Sequence, residues 1–474
     1  MRWIKCGGNW HKATGHISAV LKGVLFTGIC IQTVMGIVWM CCNFPHIPQF
    51  GESLFYMQVS RTLRCDEYTG ILYPVFLWIV RRNHYVVYAV QLAAAYAAAR
   101  RFLRVLPAGG KWRRVWGSLA LMTIPIVMQC HMAMLPCSFV SSLMLLELSL
   151  LTEAVRKTEE RTLKKLAELS ICWLALALLL PEYLYLGAIP VALFGVCCYR
   201  QWRGHRRIKY YGLLLMVAFA GMIVGINSLT QTRGAYGRLQ KTPLMILTQR
   251  ISWTSVLKDY ESWPWQIIYD VSERVIVESA AYADGMDRFF FPVVEQAVED
   301  RTITRQRADE YYRILIETAW KWHKSVILKE MAWDALGYGA SPAVLQIFLT
   351  GRGYDTYSNR NYDFFLENTP GLSKAYMDYG SWWFIVAAVL SALLQVMQLP
   401  GSAVKEKKET AGGVLCCLTA AGAMILWYTM RGAGMQDYKN TILVIQLWMA
   451  WPVLLVGRKA VVKPAPAEDM KGKI

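Results

Sequence analysis

The sequence has little charge for its length. Only 18% of its 474 residues are Asp, Glu, Lys or Arg, whereas 55% are hydrophobic, and the mean hydropathy is +0.28. Because soluble domains are usually about one quarter charged, this composition excludes an ordinary soluble protein. Apolar runs of about 18 to 22 residues recur along the chain and predict a polytopic membrane protein.

Motifs of several soluble enzyme classes are also absent. We find no G-x-G-x-x-G, P-loop, H-E-x-x-H or G-x-S-x-G pattern, so nucleotide binding and serine hydrolase chemistry have no support. The 12 cysteines lie mostly within apolar runs, and none falls between Gln231 and Tyr379. We therefore expect neither a disulfide framework nor a metal site of the CxxC kind. No repeat of solenoid period and no inverted pair of broken spans is visible, which disfavours a transporter.

Basic residues outnumber acidic ones by 51 to 33, which gives a formal charge of +18. Most of this excess flanks apolar runs in short loops, as expected of cytoplasmic loops, and we therefore expect no nucleic-acid partner. The pattern predicts about ten spans with both termini cytoplasmic. The predicted spans are 17–41, 83–99, 115–130, 137–152, 166–180, 183–198, 211–229, 382–399, 412–430 and 441–456.

These spans divide the chain into four parts. They are an N-terminal transmembrane module over 1–230 with its first outer loop at 42–84, an extracytoplasmic domain over 231–379, C-terminal transmembrane helices over 380–457, and a cytoplasmic tail over 458–474. The extracytoplasmic domain has no window apolar enough to span and is predicted to be rich in helix, for example over 307–336. The predicted fold class is an all-α polytopic membrane protein.

The first outer loop gathers acids and bases against the membrane. Glu52, Tyr56 and Ser60 are spaced four residues apart, so a helix beginning near Gly51 would place an acid, a phenol and a hydroxyl on one stripe. Further along the loop, we expect Gly70 to end this helix and the pair Tyr73-Pro74 to act as a breaker. The loop also carries basic residues on the side of the membrane where the charge rule disfavours them. They are Arg61, Arg64, Arg81, Arg82 and His84.

The pattern E-x-x-x-Y-x-x-x-S-x-x-L that starts at Glu52 resembles the first outer loop of GT-C membrane glycosyltransferases. In that superfamily, which includes the protein O-mannosyltransferases and aminoarabinose transferases of glycosyltransferase family 39, the loop reads D-[AE]-x-x-Y-x-x-x-A-x-x-L. Glu52 stands at the Asp position, one methylene longer, followed by Tyr56, Ser60 and Leu63. The resemblance implies a GT-C fold of about ten transmembrane helices with a large outer domain. It also implies sugar transfer from a polyprenyl-phosphate donor at the outer leaflet.

Transfer from a lipid phosphosugar needs a base for the acceptor hydroxyl and cations that bind the departing phosphate. Glu52 is the candidate catalytic base, and the alternative is that it only complements the dipole of its helix. A phosphate leaves as a stable anion, so no second carboxyl is needed as an acid, unlike in most glycosidases. The outer basic residues are the candidate donor phosphate ligands, because arginine forks suit phosphate. Ordinary lipid headgroups are their alternative partners.

Other polar residues have two interpretations each. Asp66 and Glu67 could hold a divalent metal or orient the acceptor, or simply form a solvated loop end. Glu182, at the tip of a hairpin between two spans, is a third acceptor or metal candidate. His131 is interpreted as a satisfied interfacial histidine rather than a ligand.

Three tyrosines, Tyr56, Tyr354 and Tyr357, are candidates for the acceptor site, because aromatic faces suit the apolar faces of sugar rings. The alternative for the aromatic residues of the extracytoplasmic domain is that they form its own core or rest in the membrane interface.

We therefore predict a glycosyltransferase of a bacterial plasma membrane. It moves a sugar from a polyprenyl-phosphate donor to an envelope glycan, lipid or protein acceptor, and has membrane lipids as further partners. No cofactor is predicted beyond a possible divalent metal. The alternatives are a polymerase or ligase of lipid-linked glycans and a lipid-glycan transporter or flippase. A transporter places charges within its spans, whereas the ionisable residues here are expected to crowd the outer surface.

Overall fold

The computed structural model of the chain describes residues 3–44, 51–63, 65, 70–106, 110–156, 162–180, 183–201, 206–230, 290–339, 370–398, 417–425 and 442–456. Helices make up about 90% of this part of the chain, which contains no strand. The all-α prediction is therefore confirmed. The helices are α1 (Trp3–Asn43), α2 (Gly51–Thr62), α3 (Leu72–Ile79), α4 (His84–Val105), α5 (Lys111–Met122), α6 (Pro125–Met132), α7 (Cys137–Arg156), α8 (Leu163–Leu179), α9 (Leu184–Gln201), α10 (Arg206–Thr230), α11 (Phe291–Glu299), α12 (Arg305–Trp322), α13 (Lys324–Gly339), α14 (Pro370–Gln398), α15 (417–425) and α16 (Ile442–Val456).

Three of these helices contain a segment long and apolar enough to cross a membrane. The segments are His16–Asn43 of α1, Cys137–Ala154 of α7 and Gly371–Met397 of α14. Each overlaps one of the predicted spans. Shorter apolar helices occur over Leu186–Val196, Tyr211–Ile226 and Ile442–Val456. The remaining spans, and with them the ten-span topology and the extracytoplasmic domain, stay predictions.

Large apolar side chains are exposed along the outward faces of several helices. Val34 of α1 is 53% exposed, Leu214 of α10 is 66% exposed and Val396 of α14 is 63% exposed. Soluble monomers rarely expose apolar surface over whole helix faces. Such faces suit contact with lipid tails, which agrees with the apolar length of these helices.

Two apolar clusters lie within the described helices. The first joins α1 to α9 with α14, α15 and α16, and the second joins α7 to α10 around residues such as Leu150, Trp173, Phe194 and Ile223. Helix α7 contributes to both clusters, with Val140 in the first and Leu150 in the second. Helices α8 and α9 do the same, with Leu176 and Leu186 in the first cluster and Leu166 and Val191 in the second.

The predicted span over 115–130 is broken in the structure at Thr123 and Ile124, between α5 and α6. Pro125 is the first residue of α6, and a proline disfavours the helical conformation in the residue before it. Ile124 accordingly has an extended ψ of 131°. The hydroxyl of Tyr376 on α14 donates a hydrogen bond to the carbonyl oxygen of Thr123. This bond satisfies a backbone group at the break, and the expectation of a span without interruption is corrected.

The segment predicted to form the first outer loop contains two short helices, α2 and α3. Helix α2 begins at Gly51 as predicted, but it ends at Thr62 and not at Gly70. A Cβ atom on Gly70 would lie 2.1 Å from the carbonyl oxygen of Leu178, so glycine is needed there for close packing against the end of α8. Tyr73 and Pro74 lie in the first turn of α3, where backbone N–H groups have no helical partner and proline is tolerated. The expectation that this pair breaks a helix was wrong.

In the region predicted as an extracytoplasmic domain, the structure describes 290–339 and the start of α14. The helix expected over 307–336 is divided into α12 and α13 at His323. The helical character predicted for this stretch is thus confirmed, with one interruption.

Candidate functional site at the first outer loop

Helix α2 carries the three-residue stripe predicted from the sequence. Its Tyr56 and Ser60 are buried, at 6% and 0% exposure, whereas Leu54 and Phe55 are exposed. Glu52 belongs to the first turn of the same helix, four residues before Tyr56, and its side chain lies outside the described part. The motif therefore lies on one helix, with two of its members facing the protein interior.

A series of buried contacts, first between aromatic rings and then through hydrogen bonds, starts at Tyr56. Its ring meets the ring of Tyr73 edge to face, with centroids 5.3 Å apart. The Tyr73 hydroxyl donates to Oε1 of Gln91 at 2.9 Å, and the Gln91 amide nitrogen donates to the carbonyl oxygens of His131 and Ala133, both at 2.9 Å. Burial raises the pKa of the Tyr73 phenol well above its usual value, so Tyr73 stays a neutral donor. These contacts join α2, α3 and α4 to the end of α6.

His131 is fully buried at the end of this series. Its Nδ1 lies 2.9 Å from Oγ of Ser138 on α7, and its Nε2 has no hydrogen-bond partner among the described residues. Burial lowers the pKa of His131 to about 3, so the ring is neutral at pH 7. The expectation of a satisfied histidine is corrected, since only one ring nitrogen is bonded among the described residues; its place at the membrane interface stays a prediction.

Arg82 joins the basic group to the motif. Its Nε donates to Oγ of Ser60 at 2.9 Å, and that hydroxyl donates in turn to the carbonyl oxygen of Met57 at 2.7 Å. An arginine predicted to bind phosphate therefore contacts the third residue of the acid–phenol–hydroxyl stripe.

The other described basic residues lie around this contact. Arg61 and Arg81 are exposed, and His84 is partly buried, with its ring 6.3 Å from that of Tyr88. Arg82, too, is only partly buried. These predicted ligands of the donor phosphate are therefore accessible from the protein surface.

The turn between α3 and α4 is strained. Arg81 and Arg82 have φ values of 51° and 58°, in the left-handed region that usually requires glycine or asparagine. The N–H of Arg82 donates to the carbonyl of Leu77 and the N–H of Arg81 to that of Trp78, the pairing of a Schellman motif that closes α3. Two arginines in this conformation cost about 1–2 kcal/mol each. Strain of this kind often persists at functional sites.

Six predicted site residues lie outside the described residues, so their roles stay predictions. They are Arg64, Asp66, Glu67, Glu182, Tyr354 and Tyr357. Within the described ranges, no group of three or more His, Cys, Asp or Glu side chains is arranged to hold a metal ion. The carboxylates proposed for a divalent metal are not among those ranges.

Sequence reasoning missed several buried polar residues. Gln91 and Ser138 were not named, although Gln91 is a polar residue inside an otherwise apolar predicted span, and Tyr73 was named only as part of a breaker pair. Glu147 was also missed: it lies within the Cys137–Ala154 segment and is fully buried. The expectation that ionisable residues crowd the outer surface was wrong for Glu147. A single acid in an apolar run was the available signal.

No family model, curated protein or solved structure matches the chain. The GT-C resemblance therefore depends on the motif of the first outer loop.

Proposed function

We propose that the protein is a membrane glycosyltransferase that moves a sugar from a polyprenyl-phosphate donor to an envelope acceptor on the outer side. The observation that carries this proposal is the hydrogen bond from Arg82 to Ser60. It joins the helix that bears the acid motif to the basic residues that suit a phosphate. Transfer from a lipid phosphosugar requires both a base and a phosphate-binding group, and Glu52 lies on the same helix as Ser60, about two turns before it.

In this mechanism Glu52 accepts the proton of the acceptor hydroxyl as that oxygen attacks the anomeric carbon. Arg82 and the exposed Arg81 stabilise the polyprenyl phosphate as it departs, because charge-assisted hydrogen bonds to phosphate oxygens strengthen as the anion forms. Tyr56, packed on Tyr73, fixes the face of α2 next to the base. The exposed Leu54 and Phe55 suit contact with the membrane that holds the donor.

Glu52→Gln tests the proposal, because it keeps the shape of the side chain and removes the base. With purified protein in liposomes and polyprenyl-phosphate sugars as donors, transfer should fall by about 10²–10⁴-fold. The matched control is Gln58→Ala, since Gln58 lies on the same helix and is exposed; it should retain transfer. Equal rates for Glu52→Gln and Gln58→Ala would leave Glu52 as a helix-capping residue only.

A lipid-glycan transporter is the second candidate, favoured by a specific observation. Glu147 is an ionisable residue inside a candidate span, and such residues commonly mark transport or proton pathways. The break between α5 and α6 also supplies a discontinuous helix, a feature of transporter binding sites. Movement of a labelled lipid-linked sugar between leaflets, without any covalent transfer and unaffected by Glu52→Gln, would favour this candidate over the transferase.

A further inference from the structure

Glu147 lies near the middle of the apolar segment of α7. At a rise of about 1.5 Å per residue, it is roughly 15 Å from Cys137 and roughly 10 Å from Ala154 along the helix axis. Its exposure is 0%. A Cβ atom on Gly187 of α9 would lie 3.6 Å from Oε1 of Glu147 and 2.9 Å from the ring of Trp173 on α8. The carboxyl group is therefore located where α7, α8 and α9 meet.

Neither carboxyl oxygen of Glu147 has a hydrogen-bond partner among the described residues. Two basic side chains on the neighbouring helices are already ion-paired with other acids. Lys165 of α8 lies 2.7 Å from Glu153, and Arg101 of α4 lies 3.5 Å from Glu153 and 3.7 Å from Glu168. Neither α4 nor α8 therefore supplies a counter-ion to Glu147.

The other basic residues of α4 and α8 are exposed or only partly buried: His84, Arg100, Arg104 and Lys164. Cys172 on α8 is the neighbouring thiol, and Cys198 is a buried thiol on α9. His131 on α6 is bonded to Ser138, and α16 contains no Asp, Glu, Lys, Arg or His. The two thiols and the neutral His131 ring carry no positive charge that could stabilise a carboxylate at Glu147.

We propose that Glu147 is an intramembrane proton-binding site. An isolated carboxylate in apolar surroundings is strongly disfavoured, whereas the neutral acid has only a modest desolvation cost. The Glu147 carboxyl group is therefore protonated while the three helices are packed. Its release leaves a negative charge between three apolar helices, so release requires that water or a cation enter between α7, α8 and α9. This inference is independent of the glycosyltransferase proposal, which concerns the first outer loop.

A neutral acid in a lipid-facing bundle is also a site for modification by a lipid-soluble carbodiimide. The carboxyl oxygen bonds to the central carbon of the carbodiimide and its proton moves to one nitrogen. The acyl group then migrates from that oxygen to a nitrogen, which leaves an N-acylurea. No atom is lost, so the adduct carries the whole mass of the reagent.

The test uses the full chain in liposomes at neutral pH, treated in parallel with dicyclohexylcarbodiimide and with a water-soluble carbodiimide, followed by peptide mass mapping. We expect the lipid-soluble reagent to label Glu147 at least about tenfold more than it labels Glu153, which is ion-paired on the same helix. The water-soluble reagent should show the reverse preference and should also label Glu317, whose side chain is 70% exposed. Glu147 labelled no better than Glu153 by the lipid-soluble reagent would overturn the proposal.

A second measurement does not depend on chemical reactivity. The infrared spectrum of the protein in heavy water should contain the carbonyl stretching band of a protonated carboxylic acid at neutral pH. The band should be lost in Glu147→Gln and kept in Glu153→Gln. Its absence from the wild-type spectrum would show that Glu147 is ionised and would refute the assignment, and this holds even if Glu147→Gln fails to fold.

Discussion

At the scale of single residues, His131 shows how burial sets a protonation state. The ring is neutral in the folded protein because burial lowers its pKa to about 3, whereas an exposed histidine in the unfolded chain titrates near 6.5. The unfolded state therefore binds more protons between these two pH values. By linkage, the stability that the neutral ring contributes is complete above about pH 6.5 and is lost as pH falls towards 3.

We expect the free energy of unfolding to fall by up to about 3 kcal/mol from this residue between pH 7 and pH 4. Thermal unfolding in detergent, measured across this range, should show a smaller acid-induced loss for His131→Gln than for the wild type. His84→Gln, the same change at a partly buried histidine, is the matched control for the substitution itself. A His131→Gln profile parallel to the wild type would contradict the assigned neutral ring.

At the scale of secondary-structure elements, the turn between α3 and α4 combines strain with a proposed binding role. Arg81→Gly removes the side chain from a backbone with a φ of 51°, so it should stabilise the fold by about 1 kcal/mol. The same change removes a proposed phosphate ligand and should weaken donor binding. Arg81→Gln separates the two effects, since it should lose donor affinity without the gain in stability.

Thermal unfolding together with titration of a polyprenyl-phosphate sugar measures both quantities. Higher stability with unchanged donor affinity in Arg81→Gly would show that Arg81 contacts lipid headgroups and not the donor. No stability difference between the glycine and glutamine variants would argue against strain at this turn.

Local spacing predicted some elements correctly and others not. The start of α2 at Gly51 followed from the four-residue spacing of polar side chains, which depends only on neighbours along the helix. The break before Pro125 also has a local cause, yet 115–130 was predicted as one span without it. The placement of Pro74 was misjudged because a first-turn proline and a helix breaker look alike without knowledge of where the helix begins.

Contacts between elements could not be predicted in the same way. Gln91 bonds to Tyr73, 18 residues before it, and to the carbonyl of His131, 40 residues after it. These pairs depend on which helices pack together, and the sequence pattern of one helix does not specify its neighbours. The candidate site was therefore predicted as a motif on α2, while its buried polar partners emerged only from the fold.

At the scale of the whole molecule, the distribution of charge predicts the orientation of the chain. Reporters fused near Gly109, Arg203 and Lys405 should be cytoplasmic, because these loops are basic, whereas one near Gly285 should be outside. Cysteine accessibility or dual reporter fusions measure this directly. A cytoplasmic reporter at Gly285 would place 231–379 on the wrong side for an outer-leaflet transferase.

Helix α7, like α8 and α9, belongs to both apolar clusters, so a movement at one of its ends can act at the other. Ser138 and Glu147 lie on this one helix, about 14 Å apart along its axis, and a packed α-helix moves as a rigid body over such a length. Displacement of α7 at Glu147 should therefore be transmitted to the contact between Ser138 and His131. We expect a bulky carbodiimide adduct on Glu147 to shift the nuclear magnetic resonance signals of the His131 ring, although the two side chains share no contact. Unchanged signals would show that α7 bends between its two ends.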